Sequence, residues 1–360
     1  MKKRILYVFL LLFSYLLFFP EAALASAREG LLLWYRSIIP TLFPFMLLCT
    51  LAVRLNLAGS LLGLFARPVC RIFGCSRHGA FAVLTGFLCG FPMGAKVTAD
   101  LARQQLISER EARFLYGFVN NVSPAFLLSY LASDQMRRPD LKVVFLGTIL
   151  GSSLLYGILS SLRYRKPAPT RSFPPRTDRS PHEQSSSTHP NGSSNTQVFS
   201  TRPNKSSDKQ DFSPRPNDSS DEQDLSSFSD APHRPLSFAL LDECITDTCQ
   251  NTVRLGAYIM LFSILTGAAQ RFFPTDHPAA LFLVSSIEIT NGVRLLASSA
   301  LPFPVKYVLL NAVCTFGGLS ALVQSVGIAG MDGAQVRSYI KSRVCATLLC
   351  VMLSVGALLL

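Results

Sequence analysis

The sequence predicts an all-α fold, a polytopic bundle of transmembrane helices, and three observations support this prediction. Hydrophobic residues make up 49% of the 360-residue chain and charged residues only 16%, whereas globular proteins contain roughly 25% charged residues. The mean hydropathy is +0.32. The apolar residues also occur in long runs, of the length that crosses a bilayer core about 30 Å thick. We therefore expect a multi-pass protein of the cell membrane, with the lipid bilayer as its main partner.

The formal net charge of +12 is distributed in a way that argues against nucleic-acid binding. A polar segment, residues 163–235, contains 11 Lys/Arg and 9 Asp/Glu and so carries a net charge of +2. The remaining +10 lies in the apolar portion, in short basic flanks such as Lys2-Lys3-Arg4, Lys341 and Arg343. Basic flanks beside apolar spans contact anionic lipid head groups. No RNA- or DNA-binding motif accompanies them, so we expect no nucleic-acid partner.

The first 27 residues have two interpretations. A basic start, an apolar core and Ala23-Leu24-Ala25 are typical of a secretory signal peptide. The same residues can form a first transmembrane helix that is retained, which is favoured because further spans follow immediately. Residues 29–56 are the next span, in which Pro40 and Pro44 predict bends. Residues 57–78 are short and basic and predict an amphipathic segment at the membrane interface.

The stretch Gly79–Pro124 is the most unusual part of the sequence. Its apolar run breaks at Gly90-Phe91-Pro92-Met93-Gly94, and Lys96 follows at once. Proline lacks a backbone N–H and disturbs the helical hydrogen bonds. At membrane depth, such backbone is tolerated where it is buried in protein or lines a cavity. We therefore predict a broken or re-entrant helix here, with Gly90, Pro92 and Gly94 as its structural motif.

A second break follows a predicted helix start. Ser108-Glu109-Arg110-Glu111 is typical of a helix N-terminus, with serine as the N-cap. The helix is expected to end near Asn120-Asn121, and Pro124 to open another short helix. Residues 141–162 then form an uninterrupted span. In that span the small residues Gly147, Gly151, Ser152 and Ser153 predict a face for close helix packing.

Residues 163–235 divide the membrane portion into two halves, residues 1–162 and 236–360. Ser, Pro, Asn, Asp and charged residues dominate this segment, which cannot bury enough apolar surface to offset chain entropy. We therefore predict a disordered linker. The basic cluster Arg163, Arg165 and Lys166 directly after a span favours a cytoplasmic location for it.

The second half again contains interrupted apolar runs. Residues 236–251 are amphipathic and acidic, and residues 252–269 form a span. Residues 279–292 are a short apolar run that ends in Glu288-Ile289-Thr290-Asn291-Gly292. Residues 306–329 are interrupted around Gly317-Gly318. Residues 344–360 form a last span. Interrupted hydrophobic segments in both halves indicate a transporter's binding site near the middle of the bilayer.

Six polar residues at these breaks are candidates for contact with a small polar solute or a coupling ion: Lys96, Asn120, Asn121, Ser123, Glu288 and Asn291. An ionisable residue inside a membrane is a functional candidate by default, and Lys96 and Glu288 could pair across the two halves. Structural alternatives stay open. Lys96 can snorkel or pair with Asp100 one turn later, Glu288 can lie at a helix end, and the asparagines can cap helices. For Gly317 and Gly318, close helix packing is favoured over contact with a ligand.

The sequence argues against an enzyme. No histidine lies near a serine with an acidic partner, so a nucleophilic serine would lack its base. Three of the five histidines lie in the polar linker, and the nine cysteines are scattered without a zinc-site spacing. We expect no catalytic residues, no metal site and no cofactor.

Two groups of residues resemble a known family. The first is Gly90–Lys96 (GFPMGAK) followed by Asn120-Asn121-Val122-Ser123-Pro124, and the second is Glu288–Gly292 (EITNG) followed by Phe316-Gly317-Gly318-Leu319-Ser320. In this order they resemble the YlbJ-type sporulation integral membrane proteins. That family is grouped with the nucleoside-recognition or Gate-domain membrane proteins and is similar to concentrative nucleoside transporters. The resemblance covers roughly residues 28–160 and 236–360.

The resemblance implies a membrane protein needed for sporulation, with a transporter-like, Gate-domain fold. We expect two related halves, and we expect them to have inverted topology. Family membership does not determine a substrate, but the broken segments in both halves predict that the protein transports a small polar solute. A protein of the same fold can lack that activity, since fold does not determine function. The alternative is therefore a non-transporting membrane scaffold for sporulation assembly.

Overall fold

All regular secondary structure in the described part of the chain is helical. The computed structural model describes residues 2–55, 58–165, 237–273 and 276–359, and no strand occurs in these ranges. The predicted all-α class is therefore confirmed. The predicted linker, residues 163–235, lies outside the described residues apart from its first three, in which the preceding helix continues to Tyr164.

Among the described residues, eight α-helices precede the linker. They are α1 (Lys2–Phe18), α2 (Pro20–Leu33), α3 (Ile39–Arg54), α4 (Ala58–Phe73), α5 (Arg77–Cys89), α6 (Met93–Arg103), α7 (Glu109–Tyr116) and α8 (Lys142–Tyr164). A π-helical segment, Trp34–Ile38, lies just ahead of Pro40, where the sequence predicts a bend. A second π-helical segment, Phe126–Gln135, lies between α7 and α8, where a short helix is predicted.

In the ranges 237–273 and 276–359, which the structure describes, six α-helices follow the linker. They are α9 (Phe238–Phe272), α10 (Pro278–Ser285), α11 (Ile289–Ser298), α12 (Phe303–Phe316), α13 (Gly318–Ala329) and α14 (Gly333–Leu359). The predicted amphipathic segment and the span after it form one continuous helix, α9, of 35 residues. The predicted interruptions at Glu288 and at Gly317-Gly318 are both present, as the boundaries between α10 and α11 and between α12 and α13.

Several of these helices are suited to crossing a membrane. Four stretches of the described chain are long and apolar enough: Pro139–Tyr164, Phe238–Phe272, Phe303–Ala329 and Gly333–Leu359. A fifth is added if Ala66–Phe73 and Arg77–Cys89, which are bent by 99° against each other, count as one span. Large apolar side chains on the outer faces of these helices, such as Val143 and Met352, are exposed, as lipid contact requires. The chain is a multi-pass membrane protein.

The interrupted helices occur in the same order in both halves. In the first half, α5 breaks before α6, α7 is followed by the π-helical segment Phe126–Gln135, and α8 is uninterrupted. In the second half, α10 breaks before α11, α12 breaks before α13, and α14 is uninterrupted. The short helices after the breaks then pack across the halves, since α6 contacts α13 and α11 contacts the π-helical segment. The breaks from both halves are thereby brought together in one compact unit.

The predicted small-residue face of α8 is only partly present. A Cβ added at Gly147 or Gly151 would meet no atom within 4 Å, so the prediction of close packing at these two glycines is wrong. Ser152 and Ser153 are buried. The close approach on α8 is instead at Gly157, where a Cβ would lie 2.7 Å from the ring of Phe118.

Candidate functional site

The break between α5 and α6 is built by close contact between backbones. Gly90 has a φ of 76°, in the left-handed region that favours glycine. A Cβ at Gly90 would lie 2.5 Å from the backbone nitrogen of Ser123, and one at Gly94 would lie 2.5 Å from the carbonyl oxygen of Val119. Pro92 occupies the N-cap position of α6. The predicted glycine–proline motif thus allows the two breaks of the first half to pack against each other.

Asn120 ties this packed region to the second half. Its Oδ1 accepts a hydrogen bond from the backbone N–H of Ala95 at 3.0 Å. Its Nδ2 donates to Ser325 Oγ at 2.8 Å and to Tyr339 Oη at 3.2 Å. The side chain is fully buried. Its amide is therefore occupied by protein groups from α6, α13 and α14.

Arg343 is a second connection, and the sequence analysis misinterpreted it. It was expected to be a basic flank at the lipid head groups, but its side chain, on α14, is fully buried in the protein interior. Its guanidinium donates to the carbonyl oxygens of Asn120 and, at 3.0 Å, of Gly117, at the end of α7. A weaker contact of 3.4 Å reaches the carbonyl oxygen of Thr315, in the last turn of α12. A cation is favourable there because helix C-termini carry partial negative charge and unpaired carbonyl groups.

Glu288 performs the opposite task at a helix N-terminus. Its Oε1 accepts hydrogen bonds from the backbone N–H (3.1 Å) and the hydroxyl (2.5 Å) of Thr290. Its Oε2 accepts from the backbone N–H (2.8 Å) and Nδ2 (3.0 Å) of Asn291. Asn291 Nδ2 also donates to Ser263 Oγ on α9 at 2.5 Å. The buried carboxylate thus caps α11, and four donors occupy its oxygens.

The two breaks of the second half are joined through their backbones. The N–H of Leu319 donates to the carbonyl of Ser286 at 2.8 Å, and the N–H of Ser320 donates to that of Ile287 at 3.1 Å. Gly317 and Gly318 both have positive φ, 86° and 75°. A Cβ at Gly317 would overlap the ring of Phe91, which belongs to the break of the first half. The predicted packing role of the two glycines therefore includes a contact between the halves.

A cavity of about 80 Å³ lies where the breaks meet. Its lining includes Phe91, Ser123 and Phe126 from the first half and Glu288, Ser320 and Gln324 from the second half. Each enclosed water needs roughly 10–15 Å³ of such space, so the cavity has room for several waters. We call it the central cavity. It combines apolar walls with a few converging polar groups, as solute sites do.

The predicted site residues fall into three groups. Ser123 and Glu288 line the central cavity. Asn120 and Asn291 hold its walls through the contacts above, and Asn121 donates to the carbonyl of Phe118 at 2.8 Å. Lys96 instead lies 3.5 Å from Asp100 one turn away, so the predicted ion pair between Lys96 and Glu288 does not form.

Two cavity residues were missed in the sequence. Gln324 donates to Ser320 Oγ at 3.0 Å, and both lie on the buried face of α13. The signal that could have found them is their spacing, since a serine and an amide four residues apart in an apolar helix share one face. In the described ranges, no cluster of three or more His, Cys, Asp or Glu side chains is placed to hold a metal ion.

Comparison with known proteins identifies one relative. The chain is 24% identical over 356 residues to the sporulation integral membrane protein YlbJ of Bacillus subtilis strain 168. The alignment covers 93% of this chain and 77% of that protein. No family model matches the chain. No solved structure matches it.

Proposed function

We propose that this chain, which belongs to the YlbJ-type family of sporulation integral membrane proteins, is a sporulation-associated permease that carries a small polar solute through the central cavity. The observation that supports this proposal is the position of the cavity. It lies between interrupted helices from both halves and is lined by polar groups of each half. In transporters, substrate sites occur near the middle of the bilayer, at the interface of two repeats and beside discontinuous helices.

The polar groups of the central cavity differ in how free they are to bind a solute. Glu288 has both oxygens occupied by the N-terminus of α11, so in this proposal it holds the cavity wall. Ser123 accepts from the N–H of Phe126 at 3.2 Å, which leaves its hydroxyl proton available. Ser320 and Gln324 face the same space. We assign the direct contacts with the solute to Ser123, Ser320 and Gln324.

The size of the cavity defines the conformational step that transport requires. A space of about 80 Å³ holds several water-sized groups, so a bulkier solute needs more room than the cavity offers in this conformation. The broken segments must therefore separate to admit a solute, first towards one side of the membrane and then towards the other. Rocking of one group of helices against another around a fixed site is the usual form of this movement.

Cysteine accessibility tests this proposal without knowledge of the solute. Ser320→Cys and Gln324→Cys are introduced singly into the full-length chain in membrane vesicles of both orientations. A membrane-impermeant, positively charged methanethiosulfonate is then applied, with the unsubstituted chain as the background. Both cysteines are expected to react from either side, because alternating access exposes the same cavity to each in turn.

A matched control lies on the same helix. Val323 is 41% exposed on the outer, lipid-facing side of α13, so Val323→Cys is expected to stay unreactive. Reaction of the cavity cysteines from one side only, or from neither, contradicts the permease.

The scaffold alternative has one observation in its favour, since the amide of Asn120 is fully engaged in packing. As a scaffold, the protein would recruit partners through the linker. Deletion of residues 170–230 would then abolish its role in sporulation while leaving insertion into the membrane intact. A normal phenotype of the deletion variant contradicts the scaffold.

A further inference from the structure

A second buried polar region lies where α8, α12 and α14 pack together. Each helix belongs to a different membrane-span candidate. Six buried side chains from the three helices form this region, which we call the polar seam: Thr148 and Ser152 on α8, Tyr307, Asn311 and Thr315 on α12, and Cys350 on α14. None of them lines the central cavity.

Direct contacts join the three helices through these groups. The hydroxyls of Thr148 and Tyr307 lie 3.0 Å apart. The thiol sulfur of Cys350 lies 3.6 Å from the carbonyl oxygen of Asn311 and 3.8 Å from that of Thr148, and its single proton can be donated to either. Arg343 contacts the carbonyl oxygen of Thr315 at the other end. The seam is therefore one continuous region.

Two side chains in the seam are left without hydrogen bonds. Neither amide atom of Asn311 has a hydrogen-bond partner within the described parts of the chain, and the hydroxyl of Thr315 lies beside the Cys350 thiol without a hydrogen bond of normal geometry there. The two residues are one helical turn apart and so lie on the same face of α12. Asn311 is 0% exposed, as is Asn120, whose amide is fully bonded. Burial alone therefore does not explain the missing partners.

Buried amides and hydroxyls in proteins almost always have a partner, either a protein group or an ordered water. Leaving them unpaired is costly, and the hydrocarbon around a membrane bundle cannot supply the missing bonds. The unpaired groups of Asn311 and Thr315 therefore point to a small ligand between the three helices.

The chemistry of the unpaired atoms selects the ligand. Asn311 offers both an acceptor, Oδ1, and a donor, Nδ2. A metal cation would satisfy only the oxygens, and the guanidinium of Arg343 beside Thr315 would repel it. An anion would satisfy only the donors. Water both donates and accepts, and buried waters typically make about three hydrogen bonds. We propose that the polar seam is a water-binding site, with ordered water bonded to the Asn311 amide and the Thr315 hydroxyl.

Water-edited solid-state NMR tests this proposal on the full-length chain in liposomes. The protein is labelled with ¹⁵N-asparagine, and transfer of magnetisation from water protons to the side-chain amides is followed. We expect early transfer to Asn311 and none to Asn120, although both are fully buried. The Asn311 signal is assigned by its loss in the Asn311→Leu variant. The half-buried Asn251 on α9 serves as the positive control. Transfer to Asn251 but not to Asn311 overturns the proposal.

Thermal stability provides a second test, because Asn311→Leu should change the unfolding midpoint in opposite directions for a dry seam and for a hydrated seam. Asn311→Leu removes both unpaired atoms and keeps a side chain of similar volume. If the seam is dry, the variant relieves an unpaired amide and its unfolding midpoint rises. If water bridges the seam, the variant removes hydrogen-bond partners from that water and leaves the Thr315 hydroxyl without its bridge to Asn311, so the unfolding midpoint falls. We expect a fall, and an unchanged or higher midpoint contradicts the site.

Discussion

Arg343 provides the sharpest test of how the interrupted helices are held. The substitution Arg343→Met keeps the length and the apolar stem of the side chain but removes every donor. The carbonyl oxygens of Gly117, Asn120 and Thr315 then lose their shared partner in the protein interior. Hydrogen bonds from a charged donor contribute about 1.5–3 kcal/mol each. The gain from no longer burying a charge offsets part of this loss.

The expected net effect is a loss of about 2–4 kcal/mol in the free energy of unfolding, because the carbonyl oxygens lose their charged donor while the cost of burying the charge is regained. At about 2–4 °C per kcal/mol, the unfolding midpoint should fall by on the order of 10 °C. Arg343→Lys retains the charge, but its single ammonium cannot reach carbonyls at two helix ends, so it should lie between the wild type and Arg343→Met.

The assay is thermal unfolding of the purified full-length protein in detergent. Lys341→Met is the matched control, because Lys341 is an exposed cation on the same helix. Its effect should stay within about 0.5 kcal/mol. An Arg343→Met variant that unfolds at the wild-type temperature would refute the reasoning, since the carbonyls would then not depend on the guanidinium.

Three further predictions follow from the same contacts, all measured as unfolding midpoints. Gly317→Ala should lose about 2 kcal/mol or more, because its positive φ costs about 1–2 kcal/mol and the new methyl group meets a neighbouring ring. Glu288→Gln should lose about 1–3 kcal/mol, because an amide cannot accept from all four donors. Asn120→Ala should lose about 2–4 kcal/mol, whereas Asn121→Ala, whose amide donates to the carbonyl of Phe118 in its own half, should lose about 1 kcal/mol.

Each of these predictions has an outcome that contradicts it. Gly356→Ala is the control for Gly317→Ala, since nothing lies within 4 Å of an added Cβ there. It should be neutral or stabilising by up to about 1 kcal/mol. Equal effects of the two glycine substitutions would refute the steric argument. A fully stable Glu288→Gln variant would show that the cap is dispensable. Equal losses at Asn120 and Asn121 would remove the distinction drawn between them.

Local features of this fold could be predicted from the sequence because they depend on neighbouring residues. The N-cap at Ser108 is an example: its hydroxyl accepts from the N–H of Glu111 at 3.1 Å, as the spacing predicts. The interruptions at Gly90-Phe91-Pro92 and Gly317-Gly318 also follow from local backbone chemistry. For Lys96, the sequence allowed either an ion pair with Asp100 one turn away or a pair with Glu288 in the other half. The pair with Asp100 is the one that forms.

Long-range contacts could not be predicted in this way. Arg343 finds its carbonyl partners 223 and 226 positions away in the sequence. The sequence placed it at the edge of a span because the apolar run starts at Val344, but α14 begins at Gly333. Lys96 and Glu288 were considered as a pair across the halves, but each makes local contacts instead. The central cavity likewise depends on which helix faces meet, and single-sequence periodicity does not determine this.

The cross-half bonding of Asn120 has a consequence for biosynthesis. Its amide binds Ser325 and Tyr339, which the ribosome adds more than 200 residues later. Until Ser325 and Tyr339 are synthesised, the amide of Asn120 lacks its final partners. The carbonyl groups that bind Arg343 in the folded protein lack theirs as well. The native arrangement of these groups is therefore completed only when the last helix has been inserted.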